Sequence, residues 1–296
     1  MPEGIIIKGI GGFYYVKTEE GLYECKARGV FRKKNLTPLP GDRVSVAVTD
    51  VEKKKGSISE ILPRDSELVR PAVSNVNQLA TVIAVKSPLP DFDLLDKLLV
   101  SASIKGIQTI ICINKIDLDE SQEYKKIIQV YSAAGFKCLP LSSKTESGFE
   151  QLQESLKGKT TVFAGQSGVG KSSILNIIMN CWVMQTGKVS EKIERGRHTT
   201  RHAELLELEE GGFVADTPGF SSFELPDIKY DELEYYYPEF ESYLGKCRFK
   251  GCSHISEPDC AVKEALAQNL IDRERYERYC KFYNILKQKK DYIKRV

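Results

Sequence analysis

The sequence lacks any long run of apolar residues. A membrane-spanning helix needs roughly 18 of them in succession, and no such run occurs in the 296 residues, so we expect no transmembrane segment. The opening residues, MPEGIIIKGIGG, hold a short apolar run without the basic segment that a secretory signal needs. The two absences together predict a cytoplasmic protein that does not bind a membrane.

Net charge is also nearly absent. The 43 Lys and Arg residues are balanced by 41 Asp and Glu residues, which leaves a formal charge of +2. Bulk attraction therefore cannot carry the chain to nucleic acid, and any such binding has to depend on local patches. The composition, 41% hydrophobic and 28% charged, excludes global disorder, and the length suits two or three domains.

Residues 1–68 predict a small β-barrel. Short β-rich runs alternate with glycine- and proline-containing turns, a pattern that favours an OB-fold without excluding an SH3-like barrel. The stretch from Cys25 to Gly41 contains basic side chains and no acidic one: Lys26, Arg28, Arg32, Lys33 and Lys34. This stretch is either a solvated loop or a contact for the phosphates of a nucleic acid.

Residues 69–226 predict an α/β domain. Apolar strands are expected at 79–85, 109–113, 138–141, 161–164 and 213–215. Helices are expected at 92–104, 121–134, 149–157 and 171–179. Near-continuous apolar strands that alternate with helices indicate a parallel sheet covered on both faces.

A phosphate-binding loop follows the fourth predicted strand of this domain. The stretch GQSGVGKSS fits the GxxxxGK[ST] pattern and comprises Gly165, Gln166, Ser167, Gly168, Val169, Gly170, Lys171, Ser172 and Ser173. Backbone N–H groups of such a loop, together with the N-terminus of the next helix, bind phosphate. We expect Lys171 to reach the β- and γ-phosphates and Ser172 to ligate Mg²⁺.

A second motif indicates which base is bound. Asn114, Lys115, Ile116 and Asp117 follow a predicted strand and match the guanine-reading NKxD motif of GTPases. An Asp carboxylate accepts from both the N1–H and the N2–H of guanine, whereas adenine does not offer that pair of donors. Asn114 is expected to brace the loop, and the stem of Lys115 to cover the ring. A P-loop kinase or ATPase is the alternative, which competition between GTP and ATP distinguishes.

Two further stretches complete the predicted guanine-nucleotide site. Ser142, Ser143 and Lys144 follow the next strand, where a backbone N–H would meet guanine O6. The stretch that begins at Asp216 and ends at Gly219 matches the DxxG motif. Asp216 would hold Mg²⁺ through water, and the N–H of Gly219 would contact the γ-phosphate.

The segment 195–201, RGRHTTR, and the residue after DxxG bear on hydrolysis. Either Thr199 or Thr200 is expected to close on Mg²⁺ when the γ-phosphate is present. Phe220 stands where many GTPases place a Gln that orients the attacking water, so intrinsic hydrolysis should be slow. His198 either orients that water instead or has a structural role.

The order of the motifs is permuted. The NKxD motif precedes the P-loop by 51 positions, and DxxG comes last, directly before the third domain. Because these loops can all lie at one edge of one sheet wherever the chain starts, the site survives the permutation.

Residues 227–296 predict a metal-binding, mainly helical domain. Cys247, Cys252, His254 and Cys260 supply three thiolates and one imidazole within 14 residues, a complete tetrahedral set for one structural Zn²⁺. A helix is expected from Glu264 to the end. The last 16 residues carry a net charge of +5, which is either a solvated face or a site where Tyr283 and Tyr292 stack on bases.

These motifs together resemble one family, the bacterial small ribosomal subunit biogenesis GTPases, also called ribosome-small-subunit-dependent GTPase A. The most specific stretches are GQSGVGKSS, GRHTTR, DTPGF and CRFKGCSHISEPDCAVKEAL. The resemblance covers essentially the whole chain and implies an OB-fold, a circularly permuted GTPase domain and a zinc-binding helical domain.

The resemblance also implies partners. It predicts binding to the 30S subunit and its 16S rRNA late in maturation, with ribosome-stimulated hydrolysis of GTP, and it transfers a catalytic role to His198. Separately, we expect the chain to be monomeric. The alternative is a GTP-gated, zinc-binding interaction or signalling module without an RNA partner. Measuring GTP turnover with and without 30S subunits distinguishes the two.

Overall fold

The computed structural model describes residues 1–33, 36–69, 71–186, 203–216 and 228–293. The N-terminal barrel consists of β1 (Glu3–Ile10), β2 (Phe13–Thr18), β3 (Gly21–Ala27), the short helix α1 (Gly29–Lys33), β4 (Arg43–Asp50) and β5 (Lys55–Ile61). Strands β3 and β5 pair in parallel, and β1 pairs with β4 to close the barrel. The predicted OB-type barrel is thus confirmed, and its basic stretch contains a helical turn.

Alternating side chains fill the barrel. Val44 and Val46 on β4 point inward and are buried together with Ile6, Val16 and Ile58 from neighbouring strands. Because successive residues of a strand face opposite sides, the residues between them remain on the outer surface.

The central domain is a sheet covered by helices. Its elements are β6 (Glu67–Leu68), β7 (Val73–Ser74), β8 (Gln78–Ala84), α2 (Phe92–Ile104), β9 (Gln108–Asn114), α3 (Tyr124–Ala133), β10 (Lys137–Pro140), α4 (Phe149–Leu156), β11 (Lys159–Ala164), α5 (Lys171–Thr186), β12 (Glu204–Glu207) and β13 (Gly212–Asp216). The order is β10-β9-β8-β11-β13-β12, and β12 is antiparallel to its neighbour β13. Each residue of β8 is buried, as expected for a strand with helices on both faces.

The barrel continues this sheet. Strand β1 pairs with β12 at Lys8 and Glu204, whose side chains also form an ion pair of 3.5 Å. The linker adds a second attachment, because Arg64 donates to both carboxylate oxygens of the fully buried Asp42. The barrel is therefore an integral part of an eleven-stranded sheet and not a tethered module.

The C-terminal domain has an aromatic core. Two 3-10 segments, Tyr230–Tyr236 and Pro238–Tyr243, precede α6 (Ala261–Ala267) and α7 (Arg273–Ile293). Tyr237, Phe240, Tyr279 and Phe282 are buried together there.

One expectation for this domain was wrong, and one of two alternatives is excluded for Tyr283. The helix predicted from Glu264 onward is divided, because Asn269 adopts a left-handed conformation after α6 and the carboxylate of Asp272 accepts from the N–H of Arg275 to begin α7. Tyr283 is buried against Tyr230 and cannot stack on bases. Its ring is part of the core of this domain.

A buried ionic network docks α7 on the central domain. Asp96 of α2 is 1% exposed and accepts from Arg275 Nη1 and Arg278 Nε, both at 2.6 Å. The hydroxyl of Tyr131 donates to the same carboxylate at 2.9 Å, and Glu239 accepts from Arg275. Burial and the neighbouring carboxylate raise the pKa of Tyr131, so its hydroxyl remains a donor.

We expect Asp96→Ala to lower the free energy of unfolding by roughly 3–5 kcal/mol, because it leaves buried arginine charge without its carboxylate. Urea denaturation followed by tyrosine fluorescence measures this. The matched control is Asp65→Ala, which removes the exposed partner of Arg43 and should cost at most about 1 kcal/mol. Equal losses in the two variants would contradict a structural role for the network.

None of the described helices combines the length and the apolar character needed to cross a lipid bilayer.

Candidate nucleotide site and metal centre

The predicted nucleotide motifs lie at one edge of the central sheet. Strands β8, β9, β10, β11 and β13 are mutually parallel neighbours in the sheet, so their carboxyl ends meet at this edge. The guanine-reading stretch begins at Asn114, the last residue of β9, and the phosphate-binding loop follows Ala164, the last residue of β11. Ser142–Lys144 come just after β10. Ligands of open α/β sheets bind at such an edge.

The phosphate-binding loop depends on two glycines. Gly165 and Gly170 both have positive φ, and a Cβ would collide with the carbonyl of Val82 at the first and with the Asn114 amide at the second. Helix α5 starts at Lys171, so the loop ends at a helix N-terminus, which attracts anions. Only glycine therefore lets the chain turn this closely against its neighbours.

Lys171 is held inside this loop. Its Nζ donates to the carbonyl oxygens of Gly165 and Gln166, each at 2.7 Å. Burial lowers the pKa of Lys171, because the charged form loses solvent. A phosphate placed in the loop would restore the lost stabilisation of the ammonium.

Asn114 joins the guanine-reading stretch to the phosphate-binding loop. Its Nδ2 donates to the carbonyl of Val169 at 2.8 Å, and its Oδ1 accepts from the N–H and the hydroxyl of Ser143, each at 3.2 Å. The side chain is fully buried, so these bonds are not exchanged with water. One amide thus connects its own loop to two others, whose bonded residues lie 29 and 55 positions further along the chain.

Lys115 forms a second connection across the same loops. It adopts a left-handed backbone conformation, with φ of 63°, and its Nζ donates to the carbonyl of Gly168 at 2.8 Å. The same amine donates to the carbonyl of Ser87, in the loop after β8. Sequence reasoning did not find Ser87, whose only signal is the turn-forming SPLP stretch that follows a strand.

Asp117 is oriented by Ser142. The serine hydroxyl donates to Asp117 Oδ1 at 2.6 Å and accepts from the N–H of Thr145 at 3.2 Å. The sequence prediction assigned 142–144 a backbone contact with the base, and the hydroxyl contact with the carboxylate is an addition. A carboxylate oriented by one hydroxyl still has lone pairs on both oxygens with which to accept from a base.

The remaining predicted site residues lie outside the described part of the chain. These are His198, Thr199, Thr200 and Gly219. The backbone of Asp216 ends β13 at the same sheet edge, but its side chain is outside the description. Ser172 and Ser173 begin α5, directly after Lys171.

The predicted metal ligands converge in the C-terminal domain. The ligand atoms of Cys247, Cys252, His254 and Cys260 all lie within 4.8 Å of one another. His254 Nδ1 is 3.5 Å from the Cys247 sulfur and 3.3 Å from the Cys260 sulfur. Three sulfurs and one imidazole nitrogen at this spacing fit a tetrahedral zinc ion and leave no open position for a substrate.

The surroundings of the cluster orient the histidine. The Nε2 of His254 is 2.6 Å from the carboxylate of Glu234, an arrangement that fixes the ring and directs Nδ1 at the sulfurs. Tyr276 and Tyr279 donate to the carbonyls of His254 and Ser253. Glu234 was missed by sequence reasoning, since it precedes the cluster by 13 residues and belongs to no motif.

A tight turn supports the ligand loop. Although burial opposes ionisation, hydrogen bonds from Ser253, together with backbone N–H groups of the turn, lower the pKa of Glu257 to about 2. Its carboxylate therefore stays charged and holds the turn between His254 and Cys260.

Family profiles match most of the chain. The profile of the RsgA GTPase matches residues 61–226, and that of the RsgA N-terminal domain matches residues 3–58. The chain belongs to this family. Family membership makes it a GTPase, and it implies GTP, GDP and Mg²⁺ as ligands.

Two relatives illustrate the similarity. The small ribosomal subunit biogenesis GTPase RsgA of Ruminiclostridium cellulolyticum is 61% identical, over 97% of this chain and 94% of that relative. The protein of the same name from Alkaliphilus metalliredigens is 46% identical, over 99% and 100%. The family resemblance inferred from the motifs is confirmed.

Solved structures show the same architecture. YjeQ from Thermotoga maritima superposes with a TM-score of 0.84 at 38% identity, covering 96% of this chain and 98% of that one. YloQ, described as a circularly permuted GTPase, has a TM-score of 0.82 at 40% identity, covering 98% and 96%. The predicted fold class and the permuted motif order are therefore confirmed.

We expect Asp117→Asn to change base preference from guanine to xanthine. The new amide can donate to the 2-oxo group of xanthine, where the carboxylate accepted from the amine of guanine, and GTP affinity should fall by at least about 100-fold. Competition between GTP and XTP for a fluorescent analogue measures the change. Glu120→Gln is the control, since that carboxylate is exposed three residues further along the chain. Undiminished GTP preference in Asp117→Asn would refute the assignment.

Proposed function

We propose that this chain binds the small (30S) ribosomal subunit, acts late in its maturation as a cytoplasmic monomer, and hydrolyses GTP faster when bound. The observation that supports a single guanine-nucleotide site most strongly is the Asn114 side chain, which ties the guanine-reading stretch to the phosphate-binding loop. The names of the relatives support the small subunit as the partner.

The proposal divides the chain into three units. Residues 1–68 form the RNA-facing barrel, 69–226 the GTPase domain and 227–296 the zinc domain.

In the proposed nucleotide site, Asp117 reads guanine with Lys115 and Ile116 beside it. Residues 142–144 line the base, and residues 165–173 bind phosphate. Ser172 and Asp216 would hold Mg²⁺, which neutralises phosphate charge when bound. Gly219 senses the γ-phosphate, and Thr199 or Thr200 completes the Mg²⁺ shell.

The zinc in this proposal is structural. Cys247, Cys252, His254 and Cys260 would hold one ion, whose binding contributes to folding of the ligand loop. The carboxylate of Glu234 keeps His254 in the tautomer that leaves Nδ1 free for the metal.

His198 is our candidate for orienting the attacking water. The residue after DxxG is Phe220, which cannot do so, and His198 lies in the segment between the phosphate-binding loop and DxxG. We expect His198→Ala to lower 30S-stimulated turnover by about 10²-fold with little change in GTP affinity. The neighbouring His202→Ala is the control. Equal turnover in the two variants would assign His198 a structural role.

The barrel carries the basic surface that fits rRNA. Lys26 and Arg28 are exposed at the end of β3, and Lys53 is exposed in the turn that joins β4 to β5. In OB-folds the face of the second and third strands and the turn between the fourth and fifth contact oligonucleotides. These lysines and arginines would neutralise phosphates of a bound RNA.

The deciding experiment measures GTP turnover with and without purified 30S subunits. Turnover should rise at least tenfold with 30S and stay unchanged with 50S subunits. Point substitutions are preferable to removing the barrel, because deletion would expose the edge of β12. The triple variant Lys26→Glu, Arg28→Glu, Lys53→Glu should require several-fold more 30S for half-maximal stimulation and keep its basal rate.

The matched control is Lys125→Glu, an exposed charge reversal on α3 of the GTPase domain. If 30S adds no rate to the unsubstituted protein, the ribosome proposal fails and an interaction module without an RNA partner takes its place. If the triple variant and Lys125→Glu respond alike, the barrel surface is not the contact.

A further inference from the structure

The loop between β8 and α2, residues 85–91, lies between the proposed guanine site and the C-terminal domain. At its start, the N–H of Val85 donates to the carbonyl of Asn114 at 3.1 Å, and the Ser87 carbonyl accepts from Lys115. At its end, the carboxylate of Asp91 accepts from the N–H of Leu94 at 2.9 Å and so begins α2. The loop is therefore short and bonded at both ends.

The C-terminal domain contacts the first turn of α2, which follows this loop. The guanidinium of Arg278 lies 5.4 Å from the centre of the Phe92 ring, at the first helical residue, and its Nε donates to Asp96 at 2.6 Å. Lys281 forms an ion pair with Asp93 in the same turn. The Arg278 side chain is only 12% exposed, so water screens its ion pair with Asp96 only weakly.

These contacts lie at the two ends of the loop, and the backbone of the short loop joins them. The connection runs from Arg278 through the Phe92 ring to the end of the loop, and from the Ser87 carbonyl at the start of the loop to Lys115. Lys115 in turn holds Gly168 of the phosphate-binding loop. A shift of the first turn of α2 would therefore move an anchor of the guanine-reading stretch.

We propose that Arg278 is a positioning residue for guanine nucleotides, which acts from the C-terminal domain through Phe92 and the 85–91 loop on Lys115. The inference rests on the guanine site of the proposed function. It gives the zinc domain a second role, because docking of α7 sets how firmly the base is held. By linkage, a bound guanine nucleotide strengthens that docking by the same factor.

The test compares Arg278→Met with the unsubstituted protein. Methionine keeps the aliphatic stem, and Asp96 retains Arg275 and Tyr131 as partners. We expect about fivefold weaker binding of GDP, with faster dissociation. Affinity for inorganic tripolyphosphate, measured by displacement of a fluorescent GDP analogue and corrected for the affinity of that analogue, should fall much less, because Lys171 and Asn114 hold the phosphate-binding loop independently of Lys115.

Two further variants sharpen the result. Phe92→Leu keeps an apolar side chain and removes the ring below the guanidinium, so it should weaken GDP binding more than tripolyphosphate binding. Lys287→Met makes the same charge change further along α7, where the lysine lies over Tyr283, and should bind GDP normally.

The outcomes separate this inference from the proposed function. Unchanged GDP affinity in both Arg278→Met and Phe92→Leu overturns the inference, as does an equal loss of GDP and tripolyphosphate affinity, which would indicate general loosening. If the unsubstituted protein binds ADP as tightly as GDP, it is the guanine site that fails. Slower amide exchange in the first turn of α2 on adding GDP, absent in Arg278→Met, would support the linkage.

Discussion

Lys171→Ala should reduce GTP turnover by at least about 10²- to 10³-fold, the loss typical when one charge-stabilising donor is removed from a transition state. The structure adds a second reason for a large effect. The ammonium also holds the carbonyls of Gly165 and Gln166, so the variant loses the charge and the group that shapes the loop. Phosphate release under saturating GTP measures the loss.

The control for this variant is Lys157→Ala. Lys157 follows α4 and precedes β11, at the sheet edge opposite the nucleotide motifs, and pairs there with the exposed carboxylates of Glu154 and Glu210. The GTP turnover of Lys157→Ala should equal that of the unsubstituted protein. Near-normal turnover in Lys171→Ala would remove the lysine from the proposed mechanism.

Cys252→Ser should abolish stoichiometric zinc binding and lower the melting temperature of the C-terminal domain. Structural zinc sites contribute on the order of 10 kcal/mol of apparent binding energy in small domains. Here the buried aromatic core retains part of the fold, so we expect loosened packing of Tyr237 and Tyr279 and not complete unfolding. Elemental analysis and near-ultraviolet circular dichroism report the two effects.

Cys280→Ser makes the same chemical change in the same domain. Cys280 packs against the aromatic core on α7 and is not part of the ligand cluster, so this variant should keep one zinc per chain. Retention of zinc in Cys252→Ser would contradict the ligand assignment. Loss of zinc from both variants would show that metal content depends on the packing of the whole domain and not on the four ligands alone.

Local patterns were sufficient for most elements of the central domain. Helix α2 begins and ends where the sequence predicted, because Asp91 caps an amphipathic run. Strand β12 was not predicted, since ELLE is too short to show a period and its pairing partners are β13 and the distant β1. The break between α6 and α7 was missed because a left-handed asparagine leaves no periodic signal.

The residues of the candidate sites also fall into two groups, those that a local pattern predicts and those that it does not. The candidate phosphate, base and metal residues belong to compact motifs, whose spacing can be recognised within one stretch of chain. Their supports, Ser87 for Lys115, Ser142 for Asp117 and Glu234 for His254, are ordinary residues in unrelated segments. Only folding brings such supports within hydrogen-bonding distance.

The sequence by itself determined the motifs, their permuted order, the candidate metal ligands and the family. Those features depend on local spacing and on the chemistry of individual side chains. The tertiary structure alone decided that the barrel shares a sheet with the GTPase domain through β1 and β12, and that Arg275 and Arg278 dock on Asp96. Both are pairings between segments about 180 to 200 residues apart, whose partners no local pattern specifies.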